Sequence, residues 1–263
     1  MNGDIPANIA DRIVTSDDTL LGGRVKLRQP VDGYRVAIDP VLLAAAVPAR
    51  AQDRVLDLGC GTGAASLCLA ARAPECQIVG LERDREIARL AAENIARNEF
   101  AARLSVIEGD LLAPPAALVA RGLTPGSFTQ VMANPPFLEA ARASASPIAA
   151  RAVAAVESEA LLADWIDVAL TMLRDKGTLT VIQRADRLGD LLAALDGRAG
   201  GVVVFPLWPG EGKASKRILL QAKKGSAAPL ILAQGLVLHR ADGRNSEAAE
   251  AVLRHGAALS LVS

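Results

Sequence analysis

The sequence predicts an α/β protein built on a doubly wound, mostly parallel sheet, and three observations carry that prediction. From residue 54 onward, short β-branched runs alternate with longer helical ones. A glycine-rich turn, "LGCGTG", sits between the first run and the first helix. Polar residues fall at the ends of successive runs, where open α/β sheets hold ligands.

The elements follow in order. "RVLDL", "QIVGLE", "RLSVIEGD", "FTQVMA" and "GTLTVIQR" read as strands. Between them "AASLCLAAR", "REIARLAAENIARN" and a segment from about Glu157 to Leu173 read as helices. In the second of these, Ile87, Leu90, Ala91, Asn94 and Ile95 share one face, while Arg85, Glu86, Arg89 and Glu93 occupy the other. Right-handed crossovers between parallel strands make the sheet doubly wound. Ahead of it, "TLLGGRVKLRQPVDGYRVAIDP" alternates around Gly22-Gly23 as a hairpin that feeds the short helix "VLLAAAV". Behind it, "VVVFPLW" and "KRILLQAKK" read as two strands joined by "PGEGKAS", followed by a strand-helix unit from Leu230 to His255. The expected division is residues 1–50 as a hairpin and short helix that cover the cofactor and substrate, and 51–263 as the main domain. Residues 138–152, rich in Ala and Ser, read as a loose helix or a mobile loop.

Composition narrows the chemistry. A chain of 263 residues, 51% hydrophobic, can bury a full core. Lys+Arg 29 against Asp+Glu 29 gives zero net charge, so any nucleic-acid partner must be met by a local patch. No apolar run approaches the roughly 18 residues needed to cross a bilayer, and the start lacks a signal pattern, so a cytoplasmic protein with no membrane partner is expected. Cys60, Cys68 and Cys76 match no zinc or redox spacing and read as reduced, mostly buried thiols. With His239 and His255 the only histidines, a Ser-His-Asp triad or a His-rich metal site is disfavoured, and no metal is expected. The chemistry calls for an organic cofactor.

Gly59, Gly61 and Gly63 between strand and helix let backbone N–H groups approach a polar ligand. Gly59, Gly61 and Ala64 satisfy a dinucleotide pattern, and Glu82 at the end of the next strand can accept from ribose hydroxyls. A nicotinamide-dependent oxidoreductase is therefore one reading, although it leaves residues 134–137 without a role and supplies no proton donor. Asp57 before the loop and Asp110 at the third strand end add two carboxylates at the same edge. "ANPPF" then ends the fourth strand in rigid backbone, with Phe137 behind Asn134, Pro135 and Pro136.

Together "DLGCGTG", Glu82, Asp110 and "NPPF" resemble the class I S-adenosylmethionine-dependent methyltransferases, and the last motif resembles the subset that methylates planar nitrogen. The resemblance implies a seven-stranded Rossmann-like sheet completed by "VVVFPLW" and "KRILLQAKK", the last pair antiparallel. It implies S-adenosyl-L-methionine as cofactor, with Asp57 and the glycine loop around its methionine part, Glu82 on the ribose and Asp110 on the adenine amine. Tyr34 and Arg35 are expected beside it, Arg35 as partner of its carboxylate. Asn134 and the Pro135 carbonyl would accept from the substrate amine, Pro136 would stiffen the turn, and Phe137 would stack on the planar substrate.

The stretch from Leu20 to Pro48, with "GKASKRILLQAKKG", resembles the bacterial family typified by the tRNA(Val) adenine-N6 methyltransferase. That implies structured RNA, tRNA above all, as the partner; guanine-N2 and protein-glutamine methylation are the alternatives on the same motif. Lys213, Lys216, Arg217, Lys223 and Lys224, with Arg142, Arg151 and Trp208, are candidate RNA contacts. A basic strand also guards a sheet edge, and a lone Trp also packs.

Overall fold

The computed structural model describes residues 13–32, 35–136 and 161–262. Strands β1 (Thr15–Leu20) and β2 (Val25–Pro30) form the expected antiparallel hairpin around Gly22 and Gly23, and helix α1 (Asp39–Ala46) follows. Then come β3 (Arg54–Leu58), α2 (Ala64–Arg72), β4 (Gln77–Glu82), α3 (Arg85–Arg97), β5 (Leu104–Glu108), α4 (Pro115–Ala120) and β6 (Phe128–Ala133). Beyond the segment that includes Phe137 and 138–152, which lies outside the described residues, run α5 (Leu162–Met172), β7 (Leu173–Arg184), α6 (Leu188–Leu195), β8 (Ala199–Gly210) and β9 (Arg217–Lys224). Two short strands, β10 (Ile231–Leu232) and β11 (Leu236–His239), and α7 (Glu247–Leu253) end the chain's described part.

The large sheet runs β5-β4-β3-β6-β7-β9-β8, with β10 and β11 both on the outer edge of β8. β9 pairs antiparallel with β7 and β8, and every other pairing in that sheet is parallel. The seven-stranded doubly wound sheet is as expected; β10 and β11 extend it by one more position.

Strand periodicity builds two core layers. On one face Val55, Ile78, Met132, Phe205 and Leu219 pack with α1, α2 and α7. On the other, Leu56, Leu58, Val131, Val181 and Leu220 pack with α5 and α6. Because successive side chains alternate, Asp57 must share the face of Val55 and meets α2.

The hairpin is fastened to α3 by two asparagines one helical turn apart. Asn94 Oδ1 accepts from the Arg28 N–H at 2.7 Å and its amide donates to the Arg28 carbonyl at 2.8 Å. Asn98 repeats this on Lys26, at 2.9 and 2.7 Å. The two side chains act as a strand edge for β2. Asn94 is fully buried and also donates to the Thr62 carbonyl at 3.0 Å, joining the hairpin to the glycine loop. Arg97 and Arg28 close on Asp17, holding its carboxyl well below the usual range.

Candidate active site

The glycine loop owes its shape to left-handed backbone. Gly59, Gly61 and Gly63 sit at φ of 64°, 56° and 87°, which side chains rarely adopt. Gly59 is also pressed from beneath: a Cβ there would lie 2.3 Å from Trp165 of α5. Gly61 meets nothing within 4 Å on its Cβ side, so the loop is packed below and open above. A Cβ on Gly80 would lie 2.6 Å from the Cys60 sulfur, which fixes the side of the loop against β4.

Three carboxylates stand at or just past the ends of β3, β4 and β5, adjacent strands roughly 4.8 Å apart. Asp57, 2% exposed, accepts from Ser66 Oγ at 2.6 Å, and burial pushes its carboxyl up to about 7. Glu82 accepts from the Gly61 N–H and the Asp84 N–H, both at 2.9 Å, and burial raises it too. Asp84 in turn caps α3, accepting from Glu86 and Ile87. Asp110 holds its own turn through the Leu112 N–H at 2.8 Å.

On the other side of β3, β6 ends at Ala133 and Asn134 follows it directly, with Pro135 buried. The Asn134 side-chain oxygen is buried and has no hydrogen-bond partner among the described residues. The Pro135 carbonyl receives the Gln183 amide from the end of β7 at a long 3.4 Å, while Gln183, 1% exposed, accepts from the Arg184 N–H at 2.8 Å. One lone pair of that carbonyl remains available.

The structure therefore brings Asp57, Gly59, Gly61, Gly63, Glu82, Asp110, Asn134, Pro135 and Pro136 to one edge of the sheet. Tyr34 and Phe137 lie outside the described residues. Arg35 is exposed, and its guanidinium is held by Asp18 at 2.7 Å and Ser16 at 3.0 Å on β1. Trp208 belongs to β8, and its indole N–H donates to the Gln234 carbonyl at 2.9 Å, a packing role for the ring edge.

Sequence reasoning passed over Trp165, Ser66 and Gln183. Only Asn94 carried a signal: a polar residue on the apolar face of an amphipathic helix. The three cysteines are free; Cys68 and Cys76 are buried, and burial pushes Cys68 up to about 12. Among the described residues no helix is long and apolar enough to cross a membrane, and no group of three or more His, Cys, Asp and Glu is arranged to hold a metal.

Residues 35–195 match the methyltransferase small-domain family. The chain belongs to that family. The protein is an S-adenosylmethionine-dependent methyltransferase. The chain is 30% identical over 216 residues to the tRNA1(Val) (adenine(37)-N6)-methyltransferase of Aeromonas hydrophila subsp. hydrophila, covering 81% of this chain and 86% of that one. It is 28% identical over 218 residues to the enzyme of the same name from Actinobacillus pleuropneumoniae serotype 7, with 81% and 86% covered. A solved structure from Agrobacterium tumefaciens, described as a predicted O-methyltransferase, superposes with a TM-score of 0.71 at 29% identity, covering 84% of this chain and 98% of that one. The site fits the cofactor. A ligand carrying a sulfonium and an ammonium would offset the burial that raises the Asp57 and Glu82 carboxyls, and the open Cβ side of Gly61 leaves room beside them.

Proposed function

We propose that this methyltransferase methylates the exocyclic N6 amine of an adenine in tRNA. S-adenosylmethionine supplies an activated methyl, so the chain need only bind, orient and polarise. An exocyclic amine is a weak nucleophile because its lone pair is delocalised into the ring. Two acceptors aimed at its two N–H bonds favour a tetrahedral nitrogen, and holding that nitrogen in line contributes further through orientation. Asn134 Oδ1 and the Pro135 carbonyl are such a pair, and the observation that carries the reading is that Asn134 Oδ1 is buried with no partner among the described residues. Leaving it so costs about 1–3 kcal/mol, a cost that a substrate N–H would remove.

A hydroxyl substrate has one proton and would call for a base; an asparagine amide cannot act as one. This separates the reading from O-methylation, whatever the Agrobacterium protein does. Phe137 is assigned to substrate stacking by the motif, and Tyr34 and Arg35 to the cofactor by their place in the N-terminal region, with the Arg35 guanidinium held by Asp18 and Ser16. The β1–β2 hairpin, fastened to α3 through Asn94 and Asn98, supports the reading of residues 1–50 as a cover over the cofactor and substrate.

The test is methylation of unmodified tRNA by the purified protein, followed by nucleoside digestion and mass spectrometry. The expected product is N6-methyladenosine. Methylguanosine, or label appearing only in a co-incubated protein glutamine, would replace adenine by the corresponding alternative.

A further inference from the structure

The five cations between Lys213 and Lys224 are contiguous in sequence but do not form one patch. β9 is antiparallel, so Arg217 lies opposite Arg184 at the carboxyl edge of the sheet, whereas Lys223 lies opposite Thr178 near the other edge. About seven residues of extended strand put more than 20 Å between them. Lys224 donates to the Leu173 carbonyl at 2.7 Å, and Arg217 pairs with buried Asp39 at 2.6 Å, so both serve the fold.

What the topology adds is a second basic turn. β11 runs parallel to β8 with His239 opposite Gly210, so the chain leaving β11 emerges beside the chain leaving β8. The first of these segments carries Lys213 and Lys216, the second Arg240 and Arg244, and all four are exposed. Each segment is a closed turn: Lys213 N–H donates to the Gly210 carbonyl at 3.2 Å, and Arg240 N–H to the Arg244 carbonyl at 2.8 Å. Lys213 and Lys216 form no ion pair among the described residues. Arg240 and Arg244 share a single carboxylate, Asp242, at a loose 3.8 and 4.0 Å. Over residues 210–216 and 240–244 there are four cations against Glu211 and Asp242, in a chain whose total charge is zero.

Both turns lie on the edge that carries Asn134, displaced along it. From β6 the steps are β7, β9, β8 and β11, so at roughly 4.8 Å per step the turns are displaced sideways by about 10–19 Å from Asn134, and the strand register carries Gly210 several residues further out. That is too far to touch a target base. The turns lie instead where the phosphates of a helical stem flanking the target would pass.

We propose that the turns at 210–216 and 240–244 form a phosphate-contacting shelf for the helical stem next to the methylated nucleotide, with Lys213, Lys216, Arg240 and Arg244 as its contacts. The shelf rests on the RNA reading above. It positions the RNA without reading sequence, as phosphate contacts do.

The test is the salt dependence of binding to an unmodified tRNA transcript. It compares wild type, a variant with Lys213, Lys216, Arg240 and Arg244 all changed to Ala, and Lys223→Ala from the opposite edge as the control. The four-alanine variant should lose at least tenfold in affinity near 0.1 M salt, and the slope of log affinity against log salt should fall by about 3.6 units if all four contacts are lost at near 0.9 each. Its S-adenosylmethionine affinity should match wild type, and Lys223→Ala should match wild type throughout. Unchanged affinity and slope in a variant of a wild type that does bind tRNA would overturn the shelf and leave the RNA reading standing. A wild type that binds no RNA at low salt would overturn both.

Discussion

The glycine loop and the Asn-Pro-Pro turn stand on neighbouring strands, β3 and β6, yet they are finished differently. Around the loop the carboxylates have protein partners: Asp57 has Ser66, and Glu82 has the Gly61 and Asp84 N–H groups, while the Thr62 hydroxyl is buried without one among the described residues. In the turn, Asn134 keeps a buried acceptor without one among the described residues. The cofactor half is thus held in shape before any ligand arrives, and the reacting half holds hydrogen-bonding capacity in reserve. Preorganisation in the first and an unspent acceptor in the second are the two requirements of a site that must bind one molecule tightly and activate another.

The contrast is tested most severely at Asp57. Its carboxyl is raised from 3.8 to about 7 in the folded chain by burial. Between those values the folded state holds a proton that the unfolded chain has released, so stability falls as pH rises through that window and the full penalty is present above it. Asp57→Asn should therefore stabilise the protein by up to about 4 kcal/mol at about pH 8, with the gain disappearing near pH 4. It should also abolish S-adenosylmethionine binding. Denaturant unfolding across that pH range, with calorimetry alongside, checks both; a pH-independent effect would mean that Asp57 is ionised in the folded chain throughout.

Asn134→Ala should act on the other side of the comparison. The methyl-transfer rate in single turnover should drop by about 10² or more, close to 3 kcal/mol, with cofactor affinity unchanged. Stability should hold or rise slightly, since an unpaired buried acceptor is removed. A variant that transfers at the wild-type rate would reduce residues 134–136 to a strand-ending turn.

Most of the sheet was legible because buried parallel strands leave continuous apolar runs: α2 and β6 fall on the residues the pattern marks. The site was legible where it depends on local backbone, as at Gly59, Gly61 and Gly63, or on strand ends, as at Glu82 and Asp110. It was not legible where a partner arrives from far along the chain. Trp165 beneath Gly59, Gln183 on Pro135 and Asp39 on Arg217 are products of topology, and no spacing rule joins them. The basic run from 213 to 224 shows the same failure in reverse: an antiparallel strand divides what the sequence places together. Short α4 and α6 were passed over because one or two turns carry too little periodicity to stand out.

The mildest perturbation is at Glu82, where shape can be kept while charge is removed. Its Oε2 accepts from the Gly61 N–H and its Oε1 from the Asp84 N–H, both at 2.9 Å. Glu82→Gln substitutes one acceptor by an NH₂ that must face an N–H, so the turn loses one bond and the ligand loses a charged acceptor for its hydroxyls. S-adenosylmethionine affinity should weaken by about 1–3 kcal/mol, with a small loss in unfolding stability. Calorimetry should be run at two or more pH values, because burial pushes the Glu82 carboxyl up from its ordinary range. If affinity is unchanged while stability falls, Glu82 belongs wholly to the loop's own scaffolding, and the cofactor half would be even more self-contained than the contrast with Asn134 implies.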